Sequence, residues 1–89
     1  TMKQFIYTFG FEENLRPYVF GCKNHKEFLK RLLDSTPMGF MCDNHTELID
    51  RLKWLFVSKD QKVKSEEHLL QLMTEIGVLK IKEVSNGTN

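Results

Sequence analysis

Residues Cys22–Leu33 read CKNHKEFLKRLL, and twenty residues later Cys42–Lys53 read CDNHTELIDRLK. The two segments carry the same residue at six of twelve positions and exchange one apolar residue for another at two more. In each copy an Asn is followed three residues later by Glu and then by apolar residues at helical spacing, which is the pattern of a capped helix N-terminus. The repeat therefore predicts two similarly capped helices, starting at Asn24 and Asn44, that lie side by side.

Apolar residues after each cap complete the two predicted helices. The first stripe consists of Phe28, Leu29, Leu32 and Leu33, and the second of Leu48, Ile49, Leu52, Leu55 and Phe56. The first helix is expected to end near Asp34–Pro37, because the residue before a proline disfavours helical geometry. Trp54 falls on the opposite side of the second helix, since two residues advance a helix by about 200°. It is predicted to be exposed.

Aromatic residues at every second position predict a strand near the N-terminus. They are Phe5, Tyr7, Phe9 and Phe11. A second extended run, Pro17–Cys22, follows the non-alternating Glu12–Leu15, and the two runs predict a β-hairpin. The short apolar run Met38–Cys42 precedes the second cap as Tyr18–Cys22 precedes the first, and it is predicted to be a third strand.

A third helix and a last strand complete the chain. Ser65 is the predicted cap, after a polar loop at Ser58–Lys64, and acidic residues fill the first turn. Gly77 is the predicted stop, and Val78–Val84 is the predicted strand. The helix is expected to bury Leu69, Leu70, Leu72, Met73 and Ile76, and the strand to turn Leu79 and Ile81 inward.

The resulting order, β-β-α-β-α-α-β, predicts an α+β fold: a small mixed or antiparallel sheet with three helices packed on one face. The 89 residues fit one domain, 1–89, with 3–84 as the folded core and 85–89 as a flexible tail.

Composition narrows the classes of function. The formal net charge is +1 and hydrophobic residues make up 40% of the chain, which does not fit a strongly basic nucleic-acid arm or a disordered acidic tail. No apolar run approaches the length of a membrane span, and the N-terminal residues lack the pattern of a secretion signal. Two cysteines without such a signal predict a cytoplasmic protein with free thiols.

Cys22, His25, Cys42 and His45 together supply two thiols and two imidazoles, a ligand set that suits zinc. A duplicated module would copy the same residues without any metal, each Cys serving as a small buried hydrophobe. A cysteine nucleophile with a histidine base is the enzymatic version of this hypothesis, but it needs a third group to orient the base, and the sequence offers no acid at a telling spacing. We therefore expect neither an enzyme nor a cofactor.

Lysine residues are the basis of a second hypothesis, that the protein binds nucleic acid. Phosphate binding depends on clustered cations, and aromatic side chains on a sheet can stack on bases, although four aromatics on one strand face are more often core. An RNA site would use Lys23, Lys26, Lys30, Lys59, Lys62 and Lys64.

Trp54 gives the protein-partner hypothesis, because a large aromatic on the polar side of a helix is typical of an interface anchor. Arg51, Lys59 and Lys62 are expected to join it. The leading interpretation is a small non-enzymatic regulator or inhibitor, of a size that suits a phage or mobile-element protein, that binds a protein partner. RNA binding is the alternative, and a homodimer is compatible with the sequence.

Overall fold

The computed structural model describes residues 3–10 and 17–85. The strands form one antiparallel sheet in the order β2-β1-β3, and the α+β class is confirmed. Along the chain the elements are β1 (Lys3–Phe9), β2 (Tyr18–Cys22), α1 (His25–Ser35), α2 (Pro37–Phe40), α3 (His45–Phe56), α4 (Glu66–Glu75) and β3 (Leu79–Ser85). No helix within the described ranges is long and apolar enough to cross a membrane.

The aromatic face of β1 supports the helices, as the alternation predicts. The Tyr7 ring stacks on Phe28 of α1 with centroids 4.6 Å apart, and Phe9 meets Phe56 of α3 edge-on at 5.9 Å. Ile6 and Val19, on the other face of the sheet, are exposed. The hairpin is confirmed by the antiparallel pairing of β1 with β2. Phe11 and the predicted loop Glu12–Leu15 lie outside the described residues.

The repeat produces two helix starts of the same geometry. The side chains of Asn24 and Asn44 each accept a hydrogen bond from the backbone N–H three residues later, at 2.9 Å in both copies. The carboxylates of Glu27 and Glu47 accept from the N–H of the residue before each cap, at 2.9 and 3.1 Å. The predicted pair of capped helices is confirmed, although each Glu bonds one residue earlier in the chain than a capping box requires.

The predicted strand at Met38–Cys42 is wrong, because the structure has the short helix α2 there. Thr36 caps this helix by accepting a hydrogen bond from the N–H of Gly39 at 3.2 Å, and Pro37 presets the first helical φ. Gly39 lets α2 pack against the end of α1, since a Cβ there would lie 1.9 Å from the carbonyl oxygen of Leu33. The Thr36-Pro37 helix start therefore makes this segment helical, although its apolar residues favour a strand.

The helix α4 ends as predicted at Gly77, which has a φ of +89°. The N–H of Gly77 donates to the carbonyl of Thr74 at 3.1 Å, and that of Val78 donates to Met73 at 3.1 Å, which is a Schellman motif.

Three apolar side chains expected to face inward are exposed instead. They are Leu55 on α3, Ile76 at the C-cap of α4 and Ile81 on β3. The buried faces of α3 and α4 are therefore narrower than the apolar pattern predicts. The fully buried side chains on these faces are Leu48, Leu52, Leu69 and Met73.

Candidate functional site

Trp54 projects from α3 with 75% of its surface exposed, as predicted. Leu48 and Leu52 of the same helix are fully buried, and together they fix which side of α3 faces the core. The next residue of the helix, Leu55, is also exposed. A rigid helix thus presents the indole to solvent.

Two surface pockets flank the indole. One, of about 400 Å³, is lined by Trp54 together with Glu47, Asp50 and Arg51 on α3. The other, of about 350 Å³, lies between the end of α3 and the following loop, and is lined by Lys53, Trp54, Val57, Ser58, Lys59, Gln61 and Val63. We call these two pockets and the indole between them the Trp54 surface.

The Trp54 surface brings together most of the residues predicted to bind a partner. Arg51 and Lys59 each share a pocket with Trp54. Lys62 is exposed on the loop, but it lines neither of the two pockets. The surface is also divided by charge: two carboxylates and a guanidinium lie on one side of the indole, and the ammonium groups of Lys53 and Lys59 lie on the other.

The lysines of the nucleic-acid hypothesis are all exposed. Lys26 and Lys30 lie on α1, and Lys23 lies just before its cap. Lys59, Lys62 and Lys64 lie between α3 and α4, as the predicted loop requires. Lys53, which the sequence analysis did not include, joins Lys59 in a pocket beside the indole.

The four Cys and His side chains do not converge on one point. Within residues 3–10 and 17–85, no group of three or more His, Cys, Asp or Glu side chains is arranged to hold a metal ion. Cys22 is fully buried, and burial raises the pKa of its thiol. The Cys42 thiol donates to the carbonyl of Met38 at 3.4 Å. The structure therefore does not support the zinc hypothesis.

The two histidines instead meet Glu66, which the sequence analysis did not single out as a site residue. Nε2 of His45 lies 2.6 Å from one carboxylate oxygen of Glu66, and Nε2 of His25 lies 3.9 Å from the other. The acidic first turn of α4 is readable from the sequence, but its position beside both repeats depends on how α4 packs.

A second exposed apolar site was also missed. Phe40 is 85% exposed and Met41 is exposed beside it, at the end of α2. The sequence did not indicate this exposed site, because the predicted strand at Met38–Cys42 would have placed part of that run in the core.

No relative explains these surfaces. Comparisons with protein-family models, with curated proteins and with solved structures find no match to this chain.

Proposed function

We propose that this chain is a non-enzymatic regulator or inhibitor that acts in the cytoplasm by binding a protein partner through the Trp54 surface. The proposal rests on the indole of Trp54, which is 75% exposed on α3 and has a pocket on either side. Tryptophan is the residue most typical of interface hot spots, and its exposure to water is unfavourable unless another molecule covers it.

The pockets define the partner in chemical terms. Side chains from the partner would enter both pockets while an apolar group covers the indole. An acidic partner residue would face Lys53 and Lys59, and a basic one would face Glu47 and Asp50, because opposite charges across an interface fix register and speed association. The partner is therefore expected to carry an apolar patch between an acidic and a basic residue.

One observation favours a binding protein over a cysteine-based enzyme: the thiol of Cys22 is buried, so it is a poor nucleophile. The free, buried state of both cysteines also suits a reducing compartment.

The experiment is a comparison of variants in capture from the cells in which the protein is naturally made. Tagged wild type, Trp54→Ala and Phe40→Ala are used with and without nuclease, and captured proteins are identified by mass spectrometry. Phe40→Ala is the matched control, because it also removes an exposed aromatic side chain. We expect one protein to be retained by wild type and Phe40→Ala and lost by Trp54→Ala, without change in melting temperature. Retention by Trp54→Ala would reject the proposal.

A second candidate function is binding of single-stranded nucleic acid. It is favoured by the pocket in which Lys53 and Lys59 lie beside the indole, since stacking on an aromatic ring combined with nearby cations is the usual basis of such binding. This candidate predicts that nuclease abolishes capture and that binding to single-stranded RNA weakens steeply as salt rises. RNA binding that is insensitive to Trp54→Ala and to Lys59→Glu would reject it.

A further inference from the structure

A separate groove lies on the helix-facing side of the sheet, between the start of α1 and α4. Its volume is about 460 Å³, within the range of pockets that hold small molecules. Its floor is apolar and formed largely by β1 and β3, with Phe5, Tyr7, Leu70 and Ile81. None of the residues of the Trp54 surface lines it.

The hydroxyl of Tyr7 is an unused polar group at this floor. Tyr7 is only 4% exposed, and its hydroxyl makes no hydrogen bond within the described residues. No fully buried side-chain oxygen or nitrogen in the described part of the chain lacks a partner, so this hydroxyl must keep access to solvent. The access is through the groove, which Tyr7 lines. A ligand there would find one hydrogen-bonding group already positioned and free.

One face of the Tyr7 ring is occupied by Phe28, stacked at 4.6 Å and 11°, and Phe5 approaches it edge-on at 6.4 Å. These contacts leave the ring little freedom, so the hydroxyl is held in place without a hydrogen bond of its own. A side chain held in this way loses less conformational entropy when it binds a ligand.

Charges at the rim favour an uncharged ligand. Lys23, at the start of α1, and Glu67, on α4, both line the groove and carry opposite charges. Glu66 faces His25 at 3.9 Å but does not line the groove. Neutral groups of Asn24, Gln71 and Thr74 complete the rim. The opposite charges of Lys23 and Glu67 cancel, so the rim has no net charge that would select an anion or a cation, and its donors and acceptors suit a neutral molecule.

We propose that this groove binds an uncharged planar aromatic molecule whose polar substituent hydrogen-bonds to the Tyr7 hydroxyl. The aromatic ring of the ligand lies on the apolar floor and buries Phe5 and Ile81. The ligand's donors and acceptors meet the neutral rim. This site is independent of the protein-binding function proposed above.

The test uses three probes of nearly the same shape: benzamide, benzoate and benzamidinium, which are neutral, anionic and cationic. Each is titrated into the ¹⁵N-labelled full chain at pH 7.5, and backbone amide signals are followed by NMR. We expect benzamide to shift the signals of Tyr7, Leu70 and Ile81 with a dissociation constant on the order of 1 mM, as suits a small fragment. The two charged probes are expected to bind several-fold more weakly.

Two variants test the role of the hydroxyl. Tyr7→Phe removes only the oxygen, which makes no hydrogen bond within the described residues, so the fold should be kept. We expect it to weaken benzamide binding about three- to tenfold, the range for one neutral hydrogen bond. Tyr18→Phe is the control, because Tyr18 is exposed and does not line the groove. The proposal is overturned if benzamide shifts no groove signal, if a charged probe binds as well, or if Tyr7→Phe keeps wild-type affinity.

Discussion

His45 and Glu66 are joined by a contact of 2.6 Å between Nε2 and Oε2, and His25 approaches the other oxygen of the same carboxylate at 3.9 Å. The two histidines hold the same position in the two copies of the repeat, as the first residues of α3 and α1. Glu66 is itself the first residue of α4. The first residues of three helices therefore lie next to one carboxylate. A negative charge is stabilising at the N-terminus of a helix.

Glu66→Gln should lower the free energy of unfolding by about 0.2–1 kcal/mol, because the pair is partly exposed and solvent screens it. Urea unfolding at pH 7 measures the loss. Glu67→Gln, in the same first turn of α4, is the control, and an equal effect of both substitutions would show that the histidine contacts contribute nothing.

Gly39→Ala should destabilise the fold by about 1–3 kcal/mol, because its Cβ would meet the carbonyl oxygen of Leu33 at 1.9 Å and force α2 away from α1. Gly21→Ala is the control on the exposed edge strand β2, where an added Cβ meets nothing within 4 Å. Its effect on unfolding should be within about 0.5 kcal/mol of zero. Equal unfolding midpoints for the two variants would contradict the packing of α2 described here.

Asn24→Ala and Asn44→Ala should each cost about 1 kcal/mol of stability, since each removes one N-cap hydrogen bond of the same length. Asn24→Asp and Asn44→Asp keep the acceptor and should cost much less. Thermal unfolding measures all four. A large loss for only one of the two Ala variants would mean that the repeated caps are not equivalent in energy.

Stability should fall as pH rises above about 9, partly because burial raises the pKa of the Cys22 thiol and of the Tyr7 hydroxyl. Above the pKa of a free thiol the unfolded chain loses its proton while the folded chain keeps it, so the unfolded state binds fewer protons and is favoured. Urea unfolding at pH 7.5 and 9.5 measures the fall. Cys22→Ala should reduce it, and an unchanged fall in this variant would contradict the contribution of Cys22.

Local signals in the sequence were sufficient for most of the fold. Asn24, Asn44 and Ser65 each precede a helix as their side chains predict, and alternation identified β1 with its correct inner face. The helix α2 is not predicted, because the apolar run Met38–Cys42 favours a strand, whereas the Thr36-Pro37 start that precedes it determines the local structure.

Long-range packing explains what the sequence could not predict at the candidate sites. A helical wheel is enough to predict that Trp54 is exposed, because its exposure depends only on the face of α3 that it occupies. The meeting of His25 and His45 at Glu66, by contrast, depends on how three separate helices pack, and the pocket beside Lys53 depends on the path of the loop after α3. Spacing along the chain determines neither of these.

The proposed function requires that the indole of Trp54, which is exposed in the free protein, is covered when a protein partner binds. Trp54 is the only tryptophan of the chain, so a single 5-fluorotryptophan label reports on it alone by ¹⁹F NMR. We expect a large H₂O-to-D₂O solvent isotope shift for the free protein and loss of that shift when the captured partner is added. A small shift in the free protein, or a large one that the partner leaves unchanged, would contradict it.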